Sequence, residues 1–178
     1  MSVETVKYVP STIGVNTERQ KPRVTDKFHY RIAVKEDQPE ILECVLTGFL
    51  NTDSHALALK LTRTEAHELV RWFVERSLHT PYSVMVYDKS TRKLAGIRLY
   101  SVIHRDQTKD FEPFKLDYAS MADNVRIWYN LTDKQQNKIW SLRLEVQKTL
   151  HHEITFVDPA FQRQGIAQHF INLLNIKQ

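Results

Sequence analysis

One cysteine, Cys44, stands in the 178-residue chain. No intrachain disulfide can form, and no cysteine-based metal cluster can be built. That usage fits a reducing compartment. No apolar run approaches the roughly 18 residues of a membrane span, and the opening MSVETVKYVP lacks the basic-then-apolar order of a signal peptide. A cytoplasmic location and no membrane partner are the expectations. Charge of one sign is not gathered anywhere either. The net charge is +4, yet Lys and Arg are dispersed among acids rather than forming the stripe that tracks a nucleic acid backbone. Nucleic acid is therefore not an expected partner, and a mild positive field serves an anionic small molecule equally well. No repeat and no low-complexity tract is present.

What is there is ordinary globular chain, 42% hydrophobic and 26% charged, long enough for one domain with a sizeable core. Residues 1–26 are polar, hold Pro10, Gly14 and Pro22 and show no period, so they read as a flexible leader ahead of one domain over 27–178. Tyr30–Val34 alternates as a first strand. Asp37-Gln38-Pro39-Glu40 predicts a helix start with Asp37 as N-cap, and Leu42, Val45, Leu46 and Phe49 predict its buried stripe, ended by Asn51–Ser54. Thr62-Arg63-Thr64-Glu65 is a capping box that opens a second helix with Ala66, Leu69, Val70 and Phe73 inward. Tyr82–Tyr87 and Leu94–Ile103 predict a hairpin across the charged turn Asp88–Lys93. After an irregular, aromatic-rich stretch with a helix near Leu116–Asn130, a capping box at Thr132–Gln135 predicts a restart. Ile139, Leu142, Val146 and Leu150 then lie along one face of a long helix.

The stretch His151–Leu174, HHEITFVDPAFQRQGIAQHFINLL, reads as strand, tight polar loop and helix, with Ile166, Phe170, Leu173 and Leu174 on one helical face. Gly165 stands at the mouth of that helix, where a glycine permits close backbone approach. The first helical N–H groups there lack intrahelical partners and suit an anion. A Val-x-Pro strand end, an aromatic and Gln162-Arg163-Gln164-Gly165-Ile166-Ala167 before an amphipathic helix together resemble the acetyl-CoA pyrophosphate loop, [QR]-x-x-G-x-[GA], of the GNAT N-acetyltransferases. Val157–Phe161 looks like the arylalkylamine N-acetyltransferase branch, particularly its invertebrate members. Ala167 stands where many members have glycine, a substitution that the pattern allows.

The resemblance implies an α/β fold: a GNAT-like mixed β-sheet flanked by helices in the order β-α-α-β-β-α-β-α. It also implies that the C-terminal strands and helix of such a domain are lacking, leaving the sheet edge beside the signature strand open to a second copy or another chain. The activity implied is acetyl transfer from acetyl-CoA to a small primary amine, an arylalkylamine by branch, with this shortened form active or inactive. A noncatalytic GNAT-derived binding or regulatory module is the alternative, and an unrelated α/β interaction domain is a third reading.

Acetyl transfer needs a deprotonated amine, a polarised carbonyl and a proton for the leaving thiolate. Strand alternation puts His151 and Glu153 on one face with Thr155 and Val157, and His152 on the other. The resemblance implies an acid or histidine on this strand as base or relay, so His151-x-Glu153 leads and Glu36, after the first strand, is the other base. Both retain a plain reading as solvated polar residues. The resemblance also implies that the thioester carbonyl is polarised by main-chain N–H groups near Phe156 and Val157. The pyrophosphate would meet N–H groups from Gln162 through Gln164, Gly165 and Ile166 to Ala167, with Arg163 adding charge. No metal is expected, because adjacent His151 and His152 face opposite ways.

Overall fold

The computed structural model describes residues 24–173. Its principal elements are β1 (Phe28–Ile32), α1 (Gln38–Cys44, continued by a π-helical turn Val45–Phe49), α2 (Arg63–Leu78), β2 (Val84–Asp88), β3 (Leu94–His104), α3 (Asp123–Leu142), β4 (Lys148–Val157) and α4 (Ile166–Leu173). The order is the one expected, β-α-α-β-β-α-β-α. The leader assignment lies outside the described residues as far as residue 23, and Val24–Lys27, which straddles its boundary, is a helical turn. No helix among the described residues is long and apolar enough to cross a membrane.

The four strands lie in the order β1-β2-β3-β4, each pair antiparallel. Parallel pairing, the other half of a mixed sheet, does not occur among the described residues. One face of the sheet carries Met85, Ile97, Leu99, Ile154 and Phe156 against α1, α2 and α3; the other carries Phe28, Val84, Val86 and Ala95 against Ile166 and Phe170 of α4. Each fully buried large side chain contributes about 1.5–3 kcal/mol as an upper figure. α2 supplies the most of these, since Ala66, Leu69, Val70 and Phe73 are joined inside by Trp72, Val74 and Leu78. Its capping box forms as expected: Thr62 Oγ1 accepts the Glu65 N–H at 3.2 Å and Glu65 Oε2 accepts the Thr62 N–H at 3.1 Å.

Several local expectations are corrected. Asp37 does not cap α1 with its side chain. Arg31 takes both its carboxylate oxygens at 2.6 Å, and the same carboxylate accepts the Val34 N–H, ahead of the 3-10 turn Lys35–Asp37. The α1 stripe also gains Ile41, fully buried, while Leu42 is only partly so. Nor does a new helix begin at Thr132, because α3 runs unbroken from Asp123 to Leu142. Burial of Val125 and Trp128 anchors it from the first turns, and tertiary packing outweighs a local cap signal. Val146 and Leu150 are not on it: the helix stops at Arg143, and Leu150 is already in β4.

The correction that matters for function is in β4. Opposite β3, Leu99 pairs with Ile154 but Tyr100 with His152, so Glu153 is the extra residue of a β-bulge. A bulge shifts the alternation by one. His151 and Glu153 still face the helices α1–α3, but beyond the bulge it is Ile154 and Phe156 that continue on that side. Thr155 and Val157 turn to the opposite face, where Thr155 Oγ1 meets His152 Nε2 at 2.6 Å and Val157 packs beside α4.

Candidate functional site

The end of β4 is shaped by short hydrogen bonds. Asp158 accepts the Ala160 N–H at 2.8 Å and opens the 3-10 turn Pro159–Phe161, after which Gln162 Nε2 returns to the Val157 carbonyl at 3.2 Å. Two residues of the loop then adopt left-handed backbone, Arg163 at φ 61° and Gly165 at φ 82°. Only glycine does so without steric cost. The first helical bond of α4 runs from the His169 N–H to the Gly165 carbonyl at 2.9 Å. The N–H groups of Ile166, Ala167 and Gln168 precede it and, among the described residues, form a helix end without main-chain acceptors.

These groups open on a cleft of about 670 Å³. One wall is Gln162, Arg163, Gly165, Ile166, Ala167 and Gln168; β4 supplies Thr155, Phe156 and Val157; the end of α1 and its following turn supply Phe49, Thr52, Asp53 and Ser54. Gln164 is the member of the expected loop set that turns away, its Oε1 accepting from Lys27 Nζ at 2.6 Å. The Ile166 side chain is 2% exposed and packs under α4, so only its main chain is offered to the cleft. Two glycines permit close approach around Phe156: a Cβ on Gly48 would stand 2.5 Å from its ring, and one on Gly96 2.6 Å from its carbonyl oxygen.

The outer edge of β4 has no strand partner among the described residues. The Asp158 N–H bonds the Ala95 carbonyl at 3.0 Å. By the two-residue alternation of an antiparallel ladder, Phe156 therefore exchanges its main-chain bonds with Ile97, while Thr155 and Val157 direct their N–H groups to the free edge. Of the two N–H groups expected near the carbonyl, that of Val157 faces outward and that of Phe156 is held by β3.

His151 and Glu153 come together, but behind β4 rather than on the cleft wall. The Glu153 side chain is 2% exposed, Ser101 Oγ donates a short hydrogen bond to its Oε1, and His151 Nε2 lies 3.7 Å from its Oε2. Burial pushes the Glu153 carboxyl up, opposed by Arg76 and by the Ser101 bond. Burial, then Arg76 and His152, push His151 down to about 4. His151 is accordingly neutral at pH 7, and the contact joins a neutral imidazole to a carboxyl group. His152 lies on the opposite face, lowered by burial and Arg98. Glu36, the other expected base, is exposed on the 3-10 turn Lys35–Asp37 and is not part of the cleft wall. Sequence reasoning missed Ser101, Arg76 and the α1 end of the cleft. None carries a local motif, and each reaches the site only through the fold.

No family model matches the sequence, and no curated protein matches it. Solved structures do. Arylalkylamine N-acetyltransferase 2 of Aedes aegypti superposes with TM-score 0.67 at 19% identity, covering 82% of this chain and 68% of that one. The yellow fever mosquito protein assigned as arylalkylamine N-acetyltransferase 7 gives 0.65 at 16%, covering 81% and 59%. A Drosophila melanogaster polyamine N-acetyltransferase that forms N-acetylagmatine gives 0.59 at 8%, covering 82% and 68%. The likeness shows a GNAT-like fold, shorter than its matches, with this chain spanning 59–68% of the length of these structures.

Proposed function

We propose that this chain binds acetyl-CoA and transfers its acetyl group to a small primary amine, an arylalkylamine being the first class to test. The observation that carries this reading is the cleft in which a left-handed glycine loop, three free helical N–H groups and the open edge of β4 converge. A diphosphate fits that cradle, since unsatisfied N–H donors at a helix start suit an anion. Gly165 leaves the approach free and Arg163 adds charge. Acetyl-CoA, when bound, supplies an activated acyl carbonyl. The Val157 N–H then serves as the donor toward the carbonyl oxygen, where charge develops during transfer. The His151–Glu153 pair accepts the first proton that the ammonium must lose, with Glu36 the other base in this reading; the second, released from nitrogen as the C–N bond forms and the C–S bond breaks, goes to the departing thiolate. Pairing of a second copy on the β4 edge belongs to the same reading and is checked by sedimentation.

A noncatalytic binding module is the second reading, favoured by the burial of Glu153 away from the cleft wall. The test is thiol release from acetyl-CoA against a panel of arylalkylamines and polyamines, alongside equilibrium binding of acetyl-CoA. Release that depends on amine supports transfer. Binding without release supports the module, and neither would remove both.

A further inference from the structure

A loop that offers its N–H groups to an anion cannot also use them to hold itself together. Arg163, Gln164 and Gly165 donate no main-chain hydrogen bond among the described residues. The first and last of them stand in left-handed backbone, and Arg163 does so without the freedom of a glycine. Backbone of that kind persists where the surroundings fix it. Side chains must therefore supply the hold.

They come from the start of β1. Lys27 Nζ donates to Gln164 Oε1 at 2.6 Å, and Gln164 Nε2 donates to the Ala160 carbonyl at 3.4 Å. One residue on, Phe28 is 2% exposed and meets Phe161 of the 3-10 turn edge to face, with ring centroids 6.1 Å apart. Lys27 is itself fixed. Its carbonyl accepts the Lys89 N–H at 3.0 Å, and its ammonium stands 5.3 Å from the Phe28 centroid and 4.0 Å from Asp88 Oδ2. Asp88 is held in turn, because its Oδ1 accepts the Ser90 and Thr91 N–H groups at 3.0 and 2.8 Å as the chain turns toward β3. A lysine with 53% of its side chain exposed ordinarily keeps its ammonium in water. This one places it on a neutral amide, flanked in sequence by the two left-handed residues of the loop.

We propose that Lys27 is a positioning residue for the loop: its ammonium, acting through the Gln164 side chain, holds the Arg163–Gly165 backbone in the form that leaves the N–H groups available to the cleft. The assignment rests on the reading of that cleft as the acetyl-CoA site. Lys27 is not part of the cleft wall, and it is assigned no contact with the cofactor.

The experiment is a double-mutant cycle on the acetyl-CoA affinity of the full chain, measured by calorimetry. NMR relaxation of the Gln164 side-chain amide is the accompanying readout, and it needs no cofactor. In the unsubstituted chain that amide should be as ordered as the backbone around it. Lys27→Met, which keeps an apolar stem beside Phe28, should set the amide free and raise the acetyl-CoA Kd about 5- to 10-fold, the worth of one hydrogen bond expressed as affinity. Lys27→Arg should restore both. In a Gln164→Ala background, Lys27→Met should change nothing further. An unchanged Kd in Lys27→Met, or a Gln164 amide already mobile in the unsubstituted chain, overturns the proposal. So does a Lys27→Met loss that persists undiminished in Gln164→Ala, which would mark a direct effect of the lysine charge on the phosphates. Should Lys27→Met fail to fold, Gln164→Ala alone must raise the Kd to the same extent, and an unmoved Kd there overturns the proposal equally. An unsubstituted chain that binds no acetyl-CoA removes the cofactor reading and this role together; one that binds it with an affinity indifferent to Lys27 removes this role alone.

Discussion

The contact between Gly48 and Phe156 offers a quantitative test of how α1 is keyed into the cleft wall. A Cβ added at Gly48 would stand 2.5 Å from Phe156 Cζ and 2.7 Å from Cε1, distances at which something must shift. The ring has little room to give, since Phe156 is 7% exposed and packed in the main core. Overpacking of this kind costs about 1–3 kcal/mol, while alanine gains about 1 kcal/mol over glycine in a helical turn. Gly48→Ala should therefore destabilise by up to about 2 kcal/mol. Phe156→Ala alone should cost about 3–5 kcal/mol as a core cavity. In the Phe156→Ala background the obstacle is gone, and Gly48→Ala should become stabilising by up to about 1 kcal/mol. The assay is denaturant unfolding of the four chains, with a coupling of about 1–3 kcal/mol expected between the two sites. Effects of Gly48→Ala that agree within about 0.5 kcal/mol in both backgrounds would refute the contact.

Thr62→Ala should cost about 1 kcal/mol by removing the α2 capping box, with Thr62→Ser recovering most of it in the same unfolding assay. Glu153→Gln should lower amine turnover by about 10²- to 10⁴-fold and leave acetyl-CoA affinity unchanged; turnover retained in full would move the base to Glu36. His151 is held neutral by burial, its pKa lowered to about 4. The unfolded chain therefore binds more protons between about pH 6.5 and 4. Stability from this group is intact above that window and is lost as pH falls through it. Glu153, raised by burial, works in the opposite sense above its unfolded pKa. His151→Gln should flatten the acid-side loss of stability, and an unchanged slope would contradict the assignment.

Much of the fold was legible in the sequence because its signals were local and mutually consistent. The Thr62–Glu65 box, the α2 stripe and the Asp88–Lys93 turn each form where the residues indicate. The Gln162–Ala167 loop was legible for the same reason, since a glycine in left-handed backbone before an amphipathic helix is a local device. What escaped was set by tertiary contacts. The bulge at Glu153 depends on pairing with Leu99 and Tyr100, residues more than fifty positions away, and it exchanged Thr155 and Val157 for Ile154 and Phe156 on the helix-facing side. The Thr132 cap signal lost to the burial of Val125 and Trp128 in a helix already under way. Ser101 looks like an ordinary strand residue until the fold sets it against the buried Glu153 carboxylate, and Arg76 like an ordinary helix residue until it is set beside Asp110.

The measurement that bears most directly on the account is the thermal unfolding of the chain with and without acetyl-CoA, run beside Gly165→Glu. A ligand that binds only the native state at about a hundred times its dissociation constant stabilises by about 2.7 kcal/mol, which for a chain of this size is a rise of roughly 5–10 °C. The account predicts that rise for the unsubstituted chain. Gly165→Glu, which puts a charged side chain where the proposed reading would place the diphosphate, should unfold cooperatively and show no rise. A chain that unfolds cooperatively yet is unmoved by acetyl-CoA, or a Gly165→Glu variant that responds as fully as the original, would contradict the assignment of this cleft.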